Sequence, residues 1–257
     1  MPLHETARTR HDRQPVATRT VLVSGATGLV GTALTAALEG RGDRVLTLVR
    51  ERSRVGPDAL PWDPAQGVAE LGAPGPIDVV VHLAGENVAA RRWSIAQKAR
   101  IRDSRVDGTR LLVEALGRLP SPPSAFVCAS AVGIYGDRGD QMLDEESEPG
   151  AGFLAGVCAE WEAAARPARA FAGRVVHLRF GVVLSTHGGA LAKMLTPFKL
   201  GLGGVLGSGR QYMSWVALPD VVRAISHVLD DEGLDGPVNV VAPGPVTNAE
   251  FTGALGA

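Results

Sequence analysis

The chain holds 257 residues, 45% hydrophobic and 21% charged, an ordinary globular balance that excludes a disordered protein and suits one large α/β domain or one domain with a small cap. Lys and Arg number 26 against 27 Asp and Glu, a formal net charge of −1, so nothing favours nucleic acid or an anionic membrane as a partner. No apolar run approaches the roughly 20 residues that cross a bilayer, and the two cysteines, Cys128 and Cys158, are too few for a disulfide framework or a four-ligand zinc site.

Residues 1–18 read as an unstructured leader, because Arg8, Arg10, Arg13 and Arg19 alternate with polar residues and no signal-peptide apolar core follows. From Thr20 the pattern changes. Thr20–Ser24 predicts a strand, a glycine turn follows, and Leu29–Leu38 has helical apolar spacing. Arg44–Val49 predicts the second strand and Ile77–Ala84, a continuous apolar run, a strand buried on both faces. A long helix is expected from Ser94 to about Leu119, ended by Pro120, Pro122 and Pro123. Then come a strand at Ala125–Ser130, a helix at Phe153–Ala165 and a strand at Arg174–Phe180. A helix at Pro219–Leu229 and a strand at Pro237–Val241 complete the series. Strand alternating with helix predicts parallel βαβ units with right-handed crossovers.

Two stretches break the alternation. Residues 136–152 are acidic and glycine-rich and read as a loop. Residues 185–215 are glycine-dense yet keep large apolar residues, and read as a long irregular segment that covers a substrate.

The strongest motif is Gly25-Ala26-Thr27-Gly28-Leu29-Val30-Gly31, between the first strand and the first helix. Gly25 permits a sharp turn, Gly28 lets the backbone approach a pyrophosphate, and Gly31 lets the helix pack close to the strand. The free N–H groups at the helix N-terminus then face the phosphates. At the end of the second strand an NAD site places a carboxylate that accepts from the ribose hydroxyls. Here Arg50 stands there, with Arg52 and Arg54 beyond. A guanidinium cannot accept a hydrogen bond but pairs with a 2′-phosphate, which predicts NADP(H). Leu83-Ala84-Gly85 offers small residues where the strand end must pass under a dinucleotide. His82, alone in an apolar strand, is read as a satisfied core residue.

The spacing of Gly25–Gly31, Leu83–Gly85 and Ser130-Ala131-Val132-Gly133-Ile134-Tyr135-Gly136 resembles the extended short-chain dehydrogenase/reductases, the epimerase/dehydratase group. HLAGENVAARRW (82–93), IRDSRVDGTRLL (101–112), FLAGVCAEWEAAA (153–165), LRFGVVLSTHGGAL (178–191) and GLGGVLGSGRQYMSW (201–215) are similar to one branch of it, the epimerase family proteins. The resemblance runs from about Thr20 to the C-terminus. It implies a Rossmann-like, doubly wound parallel sheet with a small C-terminal substrate-side region that is incomplete here. The expected layout is a cofactor domain over 19–184, the covering segment 185–215, a last helix and strand within 216–245, and the start of a further region at 246–257. By position the resemblance implies cofactor contacts from Gly25, Thr27, Gly28, Leu29, Val30 and Gly31. It places Val49 and Arg50 at the adenosine 2′-phosphate and Leu83, Ala84 and Gly85 beneath the ribose and pyrophosphate. Arg105 and Val183 are further contacts, Val183 at the nicotinamide.

Two departures from the group's pattern stand out. Its Tyr-x-x-x-Lys pair, which exchanges a proton during hydride transfer, aligns with Leu154 and Cys158. Leucine has no proton to give, and Cys158 is read as a small buried hydrophobe without a nearby fixed cation. The remaining acid/base candidates are Ser130 and Tyr135, each of which also reads as a wall residue. The second departure is at the end of the chain, where Val246–Phe251 opens the group's further domain and the chain is read as cut short at Ala257. Thr247 with Glu250 forms a capping-box start for a helix there. The basic run Lys98, Arg100, Arg102 and Arg105, with aromatic residues at 5%, reads as a solvated helix face with one or two inward arginines.

Two functions fit. One is an NADP(H)-dependent oxidoreductase or epimerase acting on a small polar, sugar-like molecule. The other is a catalytically silent dinucleotide-binding module with a regulatory or redox-sensing role. A reducing cytoplasm is the expected setting, with no metal and with subunit number open.

Overall fold

The computed structural model describes residues 18–72 and 75–256, so the expected leader, save Thr18, lies outside the described residues. In chain order the elements are β1 (Thr20–Ser24), α1 (Leu29–Gly40), β2 (Arg44–Val49), β3 (Ala59–Asp63), β4 (Val68–Ala69), β5 (Val79–His82), α2 (Ile95–Gly117), β6 (Ala125–Ala131) and α3 (Phe153–Ala165). There follow β7 (Arg174–Phe180), β8 (Val182–Ser185), α4 (Gly189–Lys199), β9 (Tyr212–Met213), β10 (Trp215–Ala217), α5 (Leu218–Asp230), β11 (Gly236–Val240), β12 (Val246–Thr247) and α6 (Asn248–Gly256).

Eight strands join in the order β11-β7-β6-β5-β1-β2-β3-β4, with every pairing parallel except β3 with β4. This is the expected doubly wound sheet. Alternate residues of the central strands serve opposite faces, so both faces must be covered. Leu22, Leu46, Val80, Phe126 and Val175 pack with Leu112 and Leu116 of α2 and Trp161 and Ala165 of α3. Val21, Val23, Val81, Val127 and Val176 pack on the other side with Leu34 and Leu38 of α1 and Val221, Ile225 and Val228 of α5. In α5 those buried positions recur at helical spacing behind a proline in the first turn, a favoured place because that N–H needs no partner.

Strand order reverses between β1 and β5, where one crossover leads to β2 and the chain later returns on the other side. Their carboxyl ends therefore open a crevice, the usual place for a ligand in such a sheet.

Residues 185–215 differ from the irregular segment expected. Gly189–Lys199 is helical in spite of Pro197, and Val246–Thr247 pairs antiparallel with Tyr212–Met213. Glycine density concealed a helix that begins at Gly189 itself, with Gly188 as its N-cap. The 136–152 stretch is a loop whose base is pinned by Gly150 N donating to the Ile134 carbonyl, 2.8 Å. The capping box at α6 is present: Glu250 N donates to Thr247 Oγ1 at 3.2 Å and Thr247 N to Glu250 Oε2 at 2.7 Å. Arg19 belongs to the folded part, with its guanidinium on the Leu229 carbonyl and Asp230. No described helix is long and apolar enough to cross a membrane.

Candidate functional site

At the crevice, Gly25 has φ 69°, a left-handed conformation that favours glycine. A Cβ there would also meet Ala84 N and the Leu83 carbonyl carbon at 2.9 Å, so the turn and the end of β5 touch backbone to backbone. A Cβ on Gly31 would lie 2.1 Å from the Gly25 carbonyl oxygen, which leaves room for hydrogen alone. Gly28 precedes α1 with extended backbone and gives no side-chain cap, and the first turn carries no acidic residue. The leading N–H groups of α1 are thus without side-chain acceptors at the mouth of the crevice, with the positive end of the helix dipole behind them. An anion fits that position. Thr27 and Gly28 are exposed there and Leu29 and Val30 half-buried.

Ser24 ties this turn to β5. Its Oγ accepts from Leu83 N at 3.1 Å and Ala84 N at 3.2 Å and lies 2.6 Å from His82 Nδ1. With both lone pairs engaged, the hydroxyl proton goes to Nδ1, which places the ring proton on Nε2. His82 Nε2 then donates to Thr109 Oγ1 at 3.0 Å, and Trp161 Nε1 donates to the same oxygen at 2.9 Å. Burial pulls His82 down to about 3, so the ring is neutral. It is the satisfied core histidine the sequence suggested.

A cleft of about 370 Å³ runs beside the turn from Ala26 and Thr27 to Thr47 and Val49 at the end of β2. Arg50 follows Val49, is exposed and makes no hydrogen bond or ion pair with another described residue. Glu51 is engaged by Arg54 at 2.9 Å. The cation at the end of β2 is therefore free to take an anion, while the neighbouring carboxylate already has a partner. Arg54 reads as a solvated loop residue.

Arg105 projects from α2 to Gly85, where a Cβ would lie 3.1 Å from its guanidinium carbon. Its Nη1 donates to the carbonyls of Glu86 and Ile101, each at 3.0 Å, and the guanidinium stacks on Trp161 with 5.0 Å to the ring centroid. The rest of the basic run faces outward: Arg102 meets Glu160 and Asp103, Arg100 meets Gln97, and Lys98 lies over Phe153.

Ser130 and Tyr135 come together, but in the interior. Ser130 Oγ donates to Glu162 Oε1 at 2.7 Å, and Arg179 grips the same carboxylate through Nε and Nη2 at 2.9 and 3.0 Å. Arg179 Nη1 donates to Tyr135 Oη at 2.9 Å and to the Glu145 carbonyl at 3.1 Å, while Tyr135 Oη donates to Asn239 Oδ1 at 2.7 Å. Ser130 is 3% exposed and Tyr135 4%. Burial pushes the Glu162 carboxyl up, but the hydrogen bonds from Arg179 and Ser130 outweigh it and hold the group below the usual carboxylate range. A cavity of about 230 Å³ lined by Glu145, Glu148, Glu162, Arg166 and Arg179 lies beside the pair.

Leu154 approaches Gly133 across the start of α3. Cys158 packs with Ile134 and Tyr135, and burial pushes its thiol up to about 11 although Arg105, and more weakly Arg179, pull it down. The cation expected to be missing is present; desolvation overrides it. The thiol is protonated at neutral pH, so the reading of a buried hydrophobe stands with a different reason.

The covering segment meets the turn. A Cβ on Gly188 or Gly189 would lie 3.4 or 3.0 Å from the Leu29 side chain. Val183, half-buried in β8, lies behind, its carbonyl 3.6 Å from a Cβ on Gly189. Lys193 of α4 crosses to the Ala89 carbonyl at 3.1 Å, joining that segment to the loop after β5. Among the described residues, no group of three or more His, Cys, Asp or Glu side chains could hold a metal.

Sequence reading missed Ser24, Thr109, Glu162, Arg179 and Lys193 as parts of this architecture. Their partners stand 17 to 104 positions away, and no local pattern signals such pairs. Only Ser24, directly before Gly25, carried a positional hint.

Residues 21–242 match the model of the NAD dependent epimerase/dehydratase family. The chain is 46% identical over 241 residues to the epimerase family protein MT2273 of Mycobacterium tuberculosis, covering 94% of this chain and 79% of that one. It is 41% identical over 240 residues to the human epimerase family protein SDR39U1, covering 92% and 79%. A crystal structure of human SDR39U1 with NADPH superposes with a TM-score of 0.81 at 38% identity, over 92% of this chain and 80% of that one. A nucleoside-diphosphate sugar epimerase from Corynebacterium glutamicum also superposes at 0.81, with 41% identity over 93% of this chain and 50% of that one.

Proposed function

The chain belongs to the NAD dependent epimerase/dehydratase family, and from that premise we propose that it binds NADP(H) at the β1–β5 crevice and acts as an oxidoreductase or epimerase on a small polar, sugar-like molecule. The observation that carries this is the Gly25–Gly31 turn at the switch point, whose geometry excludes side chains and presents the uncapped N-terminus of α1. The NADPH in the human relative's structure supports the choice of cofactor, as do Arg50, without a partner among the described residues, and the engaged Glu51. In this reading Gly25, Thr27, Gly28, Leu29, Val30 and Gly31 hold the pyrophosphate. Val49 and Arg50 take the 2′-phosphate, and Leu83, Ala84, Gly85 and Arg105 line the path between them and the nicotinamide near Val183. The bound cofactor supplies hydride transfer; the protein supplies geometry and electrostatics. Residues 185–215 cover the substrate, with α4 held over the crevice by Lys193.

Ser130 and Tyr135 remain the acid/base candidates, through displacement of Glu162 or Arg179 by substrate. Their hydroxyls are engaged in the buried network, and this favours a second reading, the silent dinucleotide module, together with Leu154 and the protonated Cys158 at the Tyr-x-x-x-Lys positions. The test is to follow bound NADPH by fluorescence while carbonyl compounds and nucleotide sugars are added. Oxidation that Ser130→Ala or Tyr135→Phe abolishes supports the enzyme. Tight binding with no turnover across the panel supports the silent module.

A further inference from the structure

From the cofactor turn to α3 runs a line of buried polar groups, each hydrogen-bonded to the next. Leu83 N and Ala84 N donate to Ser24 Oγ, Ser24 donates to His82 Nδ1, His82 Nε2 donates to Thr109 Oγ1, and Trp161 Nε1 donates to that oxygen from α3. Ser24, His82 and Thr109 are each 0% exposed and Trp161 5%. Buried polar atoms in so tight a space hold one arrangement, since any other leaves a donor or acceptor unpaired. The indole has a second task, because its ring face carries the Arg105 guanidinium while its N–H serves Thr109. One side chain thus fixes the cation beside Gly85 and, three hydrogen bonds away, the residue directly before Gly25.

Resting on the NADP(H) reading above, we propose that Trp161, acting through Thr109 and His82 on Ser24 and directly on Arg105, is the positioning residue that sets the spacing between the glycine turn and the end of β5. Gly25, where the turn meets the end of β5, has no side chain with which to set that spacing. Gly25 lies against Ala84 N, and Ser24, the residue before Gly25, holds the end of β5 through its hydroxyl, which accepts from Leu83 N and Ala84 N. If Thr109 Oγ1 is lost, the His82 Nε2–H loses its acceptor in a sealed interior, while Trp161 keeps only its contact with the Cys128 thiol. His82 then gains by turning its ring or changing tautomer, and a proton on Nδ1 would expel the Ser24 hydroxyl hydrogen from its place. The rearrangement reaches the turn without touching the cofactor.

The experiment titrates NADPH, by fluorescence, into wild type and into Thr109→Val, Thr109→Ser and Trp161→Phe, with Ile225→Val as a control of core packing on the opposite face of the sheet. Thr109→Val keeps shape and removes the acceptor; Trp161→Phe keeps a ring for Arg105 and removes the donor. The expected result is about tenfold weaker NADPH binding for Thr109→Val and a smaller loss for Trp161→Phe. Thr109→Ser restores wild-type affinity, and the control loses melting temperature with its affinity unchanged. In wild type the Trp161 indole N–H resonance shifts on NADPH addition. Should Thr109→Val fail to fold, Trp161→Phe and the wild-type indole signal still decide the matter. Wild-type affinity in both Thr109→Val and Trp161→Phe, or an indole resonance that NADPH leaves in place, overturns the positioning role while the cofactor reading stands. A wild type that binds no NADPH overturns that reading first, and the positioning role with it.

Discussion

Gly31 faces the Gly25 carbonyl so closely that a methyl group would sit 2.1 Å from its oxygen. No rotamer relieves this contact, since both atoms belong to backbone. Gly31→Ala must therefore move α1 away from β1, opening the packing of Leu34 and Leu38. Overpacking of this kind costs about 1–3 kcal/mol, and NADPH affinity should fall by roughly tenfold or more. Gly28→Ala, whose methyl would lie 3.2 Å from the same oxygen, should be milder. Thermal melts and NADPH titrations of the two variants check the order.

Arg50 lacks a partner among the described residues, whereas Glu51 has Arg54. Charge-assisted hydrogen bonds to a phosphate contribute about 1.5–3 kcal/mol. Arg50→Ala should weaken NADPH by roughly ten- to a hundredfold and leave NADH nearly unchanged. Arg54→Ala should strengthen NADH slightly by releasing Glu51. The ratio of the two dissociation constants is the quantity to measure.

Glu162 and Arg179, each with a side chain 8% exposed, form the heart of the second network. Removing one member of a buried pair costs about 3–5 kcal/mol because the other charge is left unpaired. Arg179→Met should therefore destabilise strongly, and the double variant Glu162→Gln, Arg179→Met less than the sum of its parts. Denaturant titration of the cycle measures the coupling.

The pH dependence carries the same signature. His82 is neutral when folded, at about 3 against an ordinary 6.5, so the unfolded chain binds the extra proton in that window. Stability is fully present above pH 6.5 and is lost as pH falls toward 3, by about 1.4 kcal/mol per pH unit from this group. Burial pulls His177 the same way. Glu162 also sits below its ordinary value, so its contribution is present above about pH 4.5 and is lost at lower pH, as the folded carboxyl takes its proton. Unfolding free energies measured from pH 7 to 4 should fall less steeply for His82→Gln than for wild type.

The sheet was legible because parallel strands buried on both faces leave unbroken apolar runs, as at Val79–Val81. The turn was legible because only glycine satisfies the contacts at positions 25 and 31. What escaped reading is held by tertiary contacts. Pro197 and the flanking glycines hid α4, β3 and the edge strand β4 are short and held by pairings that supply what propensity does not, and Cys158 acquires its cations only through folding. The hydroxyls of Ser130, at the end of β6, and Tyr135, just after it, could be found from their place, but not their engagement by Glu162 and Arg179, which belong to α3 and β7.

A crystal of the wild-type chain soaked with NADPH addresses the crevice most directly. The expected density places the pyrophosphate on the N–H groups at the start of α1 and the 2′-phosphate within hydrogen-bond reach of Arg50. Density for the coenzyme elsewhere, or an empty crevice at a concentration that saturates the human relative, would contradict it.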